Sequence, residues 1–437
     1  MKSKLALMSL LCFLISFTLH AREWTDSTGV FRVEAELVEV AGATVRLKKT
    51  DGTIVAVPLG RLSVADQQYL KSLDQKPSEA RKTTPGAAEA AIETALNQPT
   101  QCEFVETPLS DVLDYFSDHH AIPFGLDRRS LDDVGIGSDV PITARHRQGD
   151  LATTLDTILE PLDLTWVIRH SVLLITTKAE AEAMCDARVY RLMRQVTFDE
   201  LIRDITGNIA PKSWDTVGGP GSLSPVPSGA LVVAQTQANH RQIEKHYQGV
   251  LKRVRSPVPA TVPELIGPAV AKVLSTDTRL EFIEAPLKDV VAFLESSHDV
   301  EVTLDTRALD DVGLGTDTPI TINVRGVRLA SALSLILRPL ELTWTADQNG
   351  IRITIPEVAE GKIELVHYPV NALVQGGQTD HLIEAVTSCV APAAWDQVGG
   401  PGSIRLGIRG TLDVRQSFGV HQPVAQLLAD LREARKP

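Results

Sequence analysis

The feature that most constrains this 437-residue chain is that it repeats itself. Residues 103–166 align with 281–344 at a constant offset of 178, without a gap and with 32 identities in 64 positions. Leu131-Asp132-Asp133-Val134-Gly135 returns as Leu309-Asp310-Asp311-Val312-Gly313, and Leu162-Asp163-Leu164-Thr165-Trp166 as Leu340-Glu341-Leu342-Thr343-Trp344. Identity at this level over a whole unit means duplication, so one fold is present twice. The period is domain-sized, well beyond the roughly 20–50 residues of solenoids.

Within one copy, Phe104-Val105 reads as a strand, and Leu109, Val112, Leu113 and Phe116 recur at helical spacing. Phe124-Gly125-Leu126 and Pro141-Ile142-Thr143 are strands. Leu151, Leu155, Ile158 and Leu159 mark a second helix, and two strands close the unit as a hairpin. The order is β-α-β-β-α-β-β. A second piece, β-α-β-β-α, follows each copy; its closing helix is expected to carry Ile243, Tyr247, Val250 and Leu251 in the first half. Residues 103–177 and 281–355 resemble the secretin and TonB N-terminal short domain, and the following pieces resemble the KH-like subdomain of secretins. The resemblance places the short domains at 92–180 and 267–357 and the KH-like pieces at 186–254 and 362–434, with a linker at 255–266. It implies periplasmic docking modules that meet partner proteins or stack into rings. A secretin's strand-rich pore region is not read before Pro437, so an accessory rather than a pore is expected.

Upstream, Met1-Lys2-Ser3-Lys4 precedes an apolar run from Leu5 to Leu19 and the pair His20-Ala21, the pattern of a secretory signal over 1–21. That run is shorter than the roughly 20 residues of a membrane span. An exported mature chain without a membrane span, periplasmic or extracellular, is expected. Residues 22–72 alternate apolar and polar in short runs around Asp51-Gly52, a hairpin signal, and suggest a small all-β SH3-like barrel. Arg22-Glu23-Trp24, Phe31-Arg32-Val33-Glu34-Ala35, Val45-Arg46-Leu47-Lys48-Lys49-Thr50-Asp51-Gly52 and Leu62-Ser63 resemble the Sla homology domain, an SH3-like module. In its eukaryotic adaptors that module binds a short Asn-Pro-Phe-type peptide. The resemblance makes Lys48 and Lys49 candidate peptide-binding residues, against the plainer reading of a solvated strand face. Residues 73–91, rich in Pro, Ser, Thr, Glu and Ala, read as a linker.

Forty-three basic against 55 acidic side chains give a net charge of −12, which argues against a nucleic-acid partner. Export permits disulfides, and Cys102–Cys185 is one pairing open to the chain. Two repeated motifs carry candidate chemistry. Asp132 and Asp133, returning as Asp310 and Asp311 near glycine turns, are candidate calcium ligands, or helix caps inherited by duplication. Trp214-Asp215-Thr216-Val217-Gly218-Gly219-Pro220-Gly221-Ser222 returns as Trp395-Asp396-Gln397-Val398-Gly399-Gly400-Pro401-Gly402-Ser403. It lacks the endings of phosphate-binding loops and nucleophile elbows. Trp214 and Trp395 are either partner anchors at the surface or the packing beneath a tight turn. His240 and His421 read as cap or surface groups, and no cofactor or catalytic residue is expected. The chain thus reads as a non-catalytic exported adaptor for envelope proteins or peptides. Self-association into a ring-forming accessory is one alternative, and a hydrolase with an unrecognised site is another.

Overall fold

The computed structural model describes residues 22–25, 32–41, 44–49, 54–58, 61–63, 87–226, 229–256, 262, 264–374, 379–408 and 410–436. The chain divides into two units, Met1–Lys82 and Thr83–Pro437.

In the first unit β1 (Arg22–Thr25), β2 (Arg32–Ala41), β3 (Thr44–Lys49) and β4 (Ile54–Pro58) pair in sequence order, each antiparallel to the next. Alternation sends Trp24, Ala35, Val45 and Leu47 inward, where they pack with Leu62. Trp24 Nε1 donates to the Ala35 carbonyl at 3.0 Å, pairing a buried donor. Among the described residues this is an open four-stranded meander, and these strands do not close the expected barrel. The expected signal 1–21 and the Asp51-Gly52 turn lie outside the described residues.

The second unit begins with α1 (Ala87–Leu96), which starts inside the expected linker. Then come β5 (Cys102–Pro108), α2 (Leu109–His120), β6 (Phe124–Leu126), α3 (Arg128–Asp133), β7 (Pro141–His146), α4 (Leu151–Leu159), β8 (Leu164–Arg169) and β9 (Val172–Thr177). The piece expected to be KH-like follows: α5 (Lys178–Ala183), β10 (Cys185–Leu192), α6 (Phe198–Asn208), β11 (Ser222–Val226), β12 (Ala230–Thr236), α7 (Gln237–His246) and β13 (Leu251–Val254). The second half repeats the short domain as α8 (Pro268–Leu274), β14 (Asp277–Pro286), α9 (Leu287–His298), β15 (Glu301–Leu304), α10 (Thr306–Asp311), β16 (Pro319–Arg328), α11 (Leu329–Leu337), β17 (Thr343–Ala346) and β18 (Gly350–Thr354). It ends with α12 (Pro356–Gly361), β19 (Ile363–Pro369), α13 (Thr379–Cys389), β20 (Ser403–Leu406), β21 (Thr411–Ser417) and α14 (Phe418–Ala434).

The acidic stretch forms a short helix, α3 and α10. One expectation needs correction. The first half's closing helix stops at His246; Leu251 belongs to β13, which adds a fourth strand in the order β11-β12-β10-β13. The matching sheet of the second half has the order β19-β21-β20, and α14 there runs on to Ala434. The stretch 255–266, expected to link the halves, sends Val262 and Ile266 into the core. Among the described residues no helix is long and apolar enough to cross a membrane.

The halves share their cores. Along β12, Leu231 and Val233 pack with the first half's own helices, in one cluster with Tyr190, Ile205 and Trp214. The alternate residues Ala230, Val232 and Ala234, with Val189 on β10, pack instead with Leu382, Ala385, Val386 and Leu427 of the second half. The sheet β6-β9-β8 behaves the same way. Trp166, Leu173 and Ile175 face their own core, while Val167, Val172 and Leu174 join the core of the second half. Both of these first-half sheets are therefore buried on two faces.

Candidate functional site

The basic hairpin strand comes first. β3 pairs Lys49 with Ala35, and Lys48 with Glu36 and Ile54. Lys49 is half-buried, and the Lys48 side chain lies outside what is described.

The acidic helices are not brought together. Asp132, Asp133, Asp310 and Asp311 are exposed at the ends of α3 and α10. Gly135 and Gly313 follow at φ +72° and +73°, their N–H groups donating to the Asp132 and Asp310 carbonyls. This is helix termination by a residue free to adopt positive φ. Among the described residues no group of three or more His, Cys, Asp or Glu is placed to hold a metal ion. Asp127, just before α3, has a partner across the halves. Arg338 reaches its two carboxylate oxygens at 3.2 and 3.0 Å, and also holds Glu180. The Thr176 hydroxyl adds a third bond to Asp127 at 2.9 Å.

Trp214 and Trp395 are each 1 % exposed, as packing beneath the turn requires and as a surface anchor would not be. Their indole N–H groups donate to the Ile209 and Val390 carbonyls, both at 2.8 Å. The loop closes over them: Gly219 N–H donates to Trp214 O and Gly221 N–H to Ser213 O, as Gly400 and Gly402 do to Trp395 O and Ala394 O. A Cβ on Gly219 or Gly400 would lie 2.2 or 2.3 Å from a backbone carbon, so only glycine fits. The loop is a packing device and leaves Val217 and Val398 exposed at its tip.

His240 and His421, expected at caps or the surface, are fully buried. His240 Nδ1 meets the Tyr190 hydroxyl at 2.8 Å and Nε2 the Asp186 carbonyl at 2.8 Å. His421 repeats this with the Tyr368 hydroxyl at 3.0 Å and the Glu364 carbonyl at 3.1 Å. A carbonyl can only accept, so Nε2 carries the proton and Nδ1 accepts from the tyrosine. Burial holds His240 well below the usual imidazole range and His421 below it. It also raises both tyrosines, helped by Glu244 at Tyr190 and by Glu264 at Tyr368. These clamps tie the closing helix to the first strand of each KH-like piece. The repeat of Tyr and His at matching positions was the sequence signal for them.

Ser222, at the end of the first Trp loop, donates to the Ser388 carbonyl at 2.8 Å and lies 3.3 Å from Cys389 Sγ. Ser224 Oγ is 3.0 Å from Ser388 Oγ. These hydroxyls join the halves and face no histidine. Cys102, Cys185 and Cys389 are free thiols, so the Cys102–Cys185 pairing is not formed. A cleft of about 540 Å³ between the halves is lined by Asp127, Arg129, His170, Glu180, Arg338 and Trp344. Arg338 is paired as above and Arg129 with Glu341. Burial lowers His170 to about 3, which keeps it neutral.

Residues 18–77 match the family model of the SLA1 homology domain 1, SHD1. The chain is 37 % identical over 60 residues to the actin cytoskeleton-regulatory complex protein sla1 of Schizosaccharomyces pombe, covering 14 % of this chain and 4 % of that protein. It is 38 % identical over 68 residues to SLA1 of Candida albicans, covering 14 % and 5 %. The chain thus spans only a small fraction of these relatives' length. Among solved structures it is similar to XcpQN012, at 15 % identity and TM-score 0.15, covering 54 % of this chain and 93 % of that one. It is also similar to a chain of the GspC-GspD complex of the type II secretion system of enterotoxigenic Escherichia coli, at 13 % identity and TM-score 0.15, covering 35 % and 98 %. TM-scores this low carry no argument about fold.

Proposed function

We propose that the chain is a non-catalytic adaptor that binds other proteins, exported behind residues 1–21. The observation that carries this is the SHD1 match over residues 18–77, a family of protein-binding modules. Peptide recognition falls to the β2–β3–β4 region and its basic residues Lys48 and Lys49. The duplicated unit supports the same reading: its buried polar groups are spent on capping, clamping and joining the halves. The cleft's acids and bases neutralise each other rather than converging on an open position.

The test is titration of the full chain into a fluorescent peptide carrying Asn-Pro-Phe. Saturable binding is expected, weakened at least about tenfold by Lys48→Glu with Lys49→Glu, which replaces both basic residues assigned to the peptide. Absence of binding by the unaltered chain counts against the peptide reading, and equal binding by the double variant counts against these lysines. Export is tested separately by sequencing the N-terminus of the protein from its native source, which should begin at Arg22.

A further inference from the structure

We infer that the contact between the two halves is a closed, one-to-one fit that a second copy of the chain cannot extend. A duplicated unit that buries its copy 1 sheet under its copy 2 helices has the makings of an open array. The next chain's first half would then sit on the second half's sheet, and this is how a ring-forming accessory would grow. Three differences between the halves stop that.

The receiving face differs. The strand registers are equivalent, Cys185 with Thr236 and Ile363 with Ser417, so positions can be matched directly. Val189, Val232, Ala234 and Ser224 are covered in the first half. Their counterparts are His367, Asp413, Arg415 and Arg405. His367 Nδ1 and Asp413 Oδ1 are 2.7 Å apart, and the Thr411 hydroxyl donates to Asp413 at 3.0 Å. Arg405, His367 and Arg415 are exposed. The short domain shows the same change: Leu174, at 1 % exposure, has exposed Arg352 as its counterpart. A polar outer face is what a terminal repeat needs for solubility.

The donating element also differs. The part of α14 beyond Leu427 lies over β10 and β13, with Asp430 accepting from Ser256 N–H at 2.7 Å and Lys436 O from Arg191 at 2.7 Å. The matching first-half helix α7 ends at His246, and its continuation is β13. A second chain's first half therefore lacks the helical extension that covers β10 and β13. Nor is the edge of β19 open where β13 pairs with β10. His367 N–H donates to Glu264 Oε2 at 3.3 Å, Arg432 donates to the Pro369 carbonyl at 2.8 Å, and Pro369 has no N–H.

Disulfide trapping on the full chain tests this, using Ser224→Cys with Ser388→Cys in a Cys389→Ser background. The expected product is a crosslink within one chain, at single-chain mass, and light scattering of the unaltered chain should show the single-chain mass across a hundredfold concentration range. Adding Ala234→Arg, the second half's own residue, should slow crosslinking at least tenfold. Disulfide-linked dimers or ladders, a mass that climbs with concentration, or an unchanged rate with Ala234→Arg would each overturn the inference.

Discussion

The Trp loops and the outer faces of the KH-like sheets answer duplication in opposite ways. From Trp214 to Ser222 and from Trp395 to Ser403, the residues differ at one position in nine, Thr216 against Gln397. The outer sheet positions Val189, Val232 and Ala234 became His367, Asp413 and Arg415. Apart from Ser222, which bonds Ser388 of the other half, the loop's hydrogen bonds and close glycine contacts stay within its own copy, so both copies impose the same glycines and the same buried indole. The sheet face meets the other half in one copy and solvent in the other. Likeness between the copies thus marks contacts inside a copy, and difference marks a residue's place in the pair.

The largest expected break comes from moving one outer residue between copies. Val232→Asp puts an unpaired charge into the shared core and should cost about 3–5 kcal/mol in urea unfolding. The reciprocal Asp413→Val should cost less, about 1–2 kcal/mol, because the partners it gives up, His367, Thr411 and Arg405, can turn to solvent. Equal costs would show that the two faces share one environment. The loops sharpen the contrast from the other side. Trp214→Ala and Trp395→Ala should each cost about 3–5 kcal/mol, and by similar amounts.

The Tyr–His clamps fall between these extremes. Glu244 Oε1, a charged acceptor that Tyr368 lacks because Ala425 stands at the matching position, also lies 3.1 Å from the Tyr190 hydroxyl and shares its one proton with His240 Nδ1. Tyr190→Phe should therefore cost about 1.5–3 kcal/mol and Tyr368→Phe about 1 kcal/mol. A larger loss at Tyr368 would contradict the assigned bonds. The clamps also set a pH dependence. Folded, His240 and His421 resist protonation; unfolded, they take a proton at about pH 6.5. The unfolded chain therefore binds more protons below that pH, and the stability present above about pH 6.5 is lost as pH falls. The urea midpoint should drop between pH 7.5 and 5, less so in His240→Gln; a midpoint that stays level would argue against buried neutral histidines.

Much of the local fold was legible in the sequence. Helix α2 was readable from Leu109, Val112, Leu113 and Phe116, and α4 from Leu151, Leu155, Ile158 and Leu159, because an apolar stripe at helical spacing has few other uses. Leu251 was misplaced because Ile243, Tyr247, Val250 and Leu251 also fit a helical stripe. Pairing with β10 decided for a strand, and pairing is a long-range contact. Burial of His240 and His421 was hidden for a related reason: side-chain pattern names neither the sheet above nor the carbonyl opposite. The second coverage of the first-half sheets was present in the apolar run Ala230-Leu231-Val232-Val233-Ala234, which lacks the alternation of Thr411-Leu412-Asp413-Val414-Arg415.

The most direct measurement compares thiol labelling at two matched positions in the native full chain, Ala234→Cys and Arg415→Cys. If the first-half face is covered by the second half and the second-half face is open, the cysteine at 415 should react with a maleimide at the rate of an exposed thiol. The cysteine at 234 should react at least about 100-fold more slowly, through local opening. Similar fast rates at both positions would contradict the division of the two copies into a covered half and a covering one.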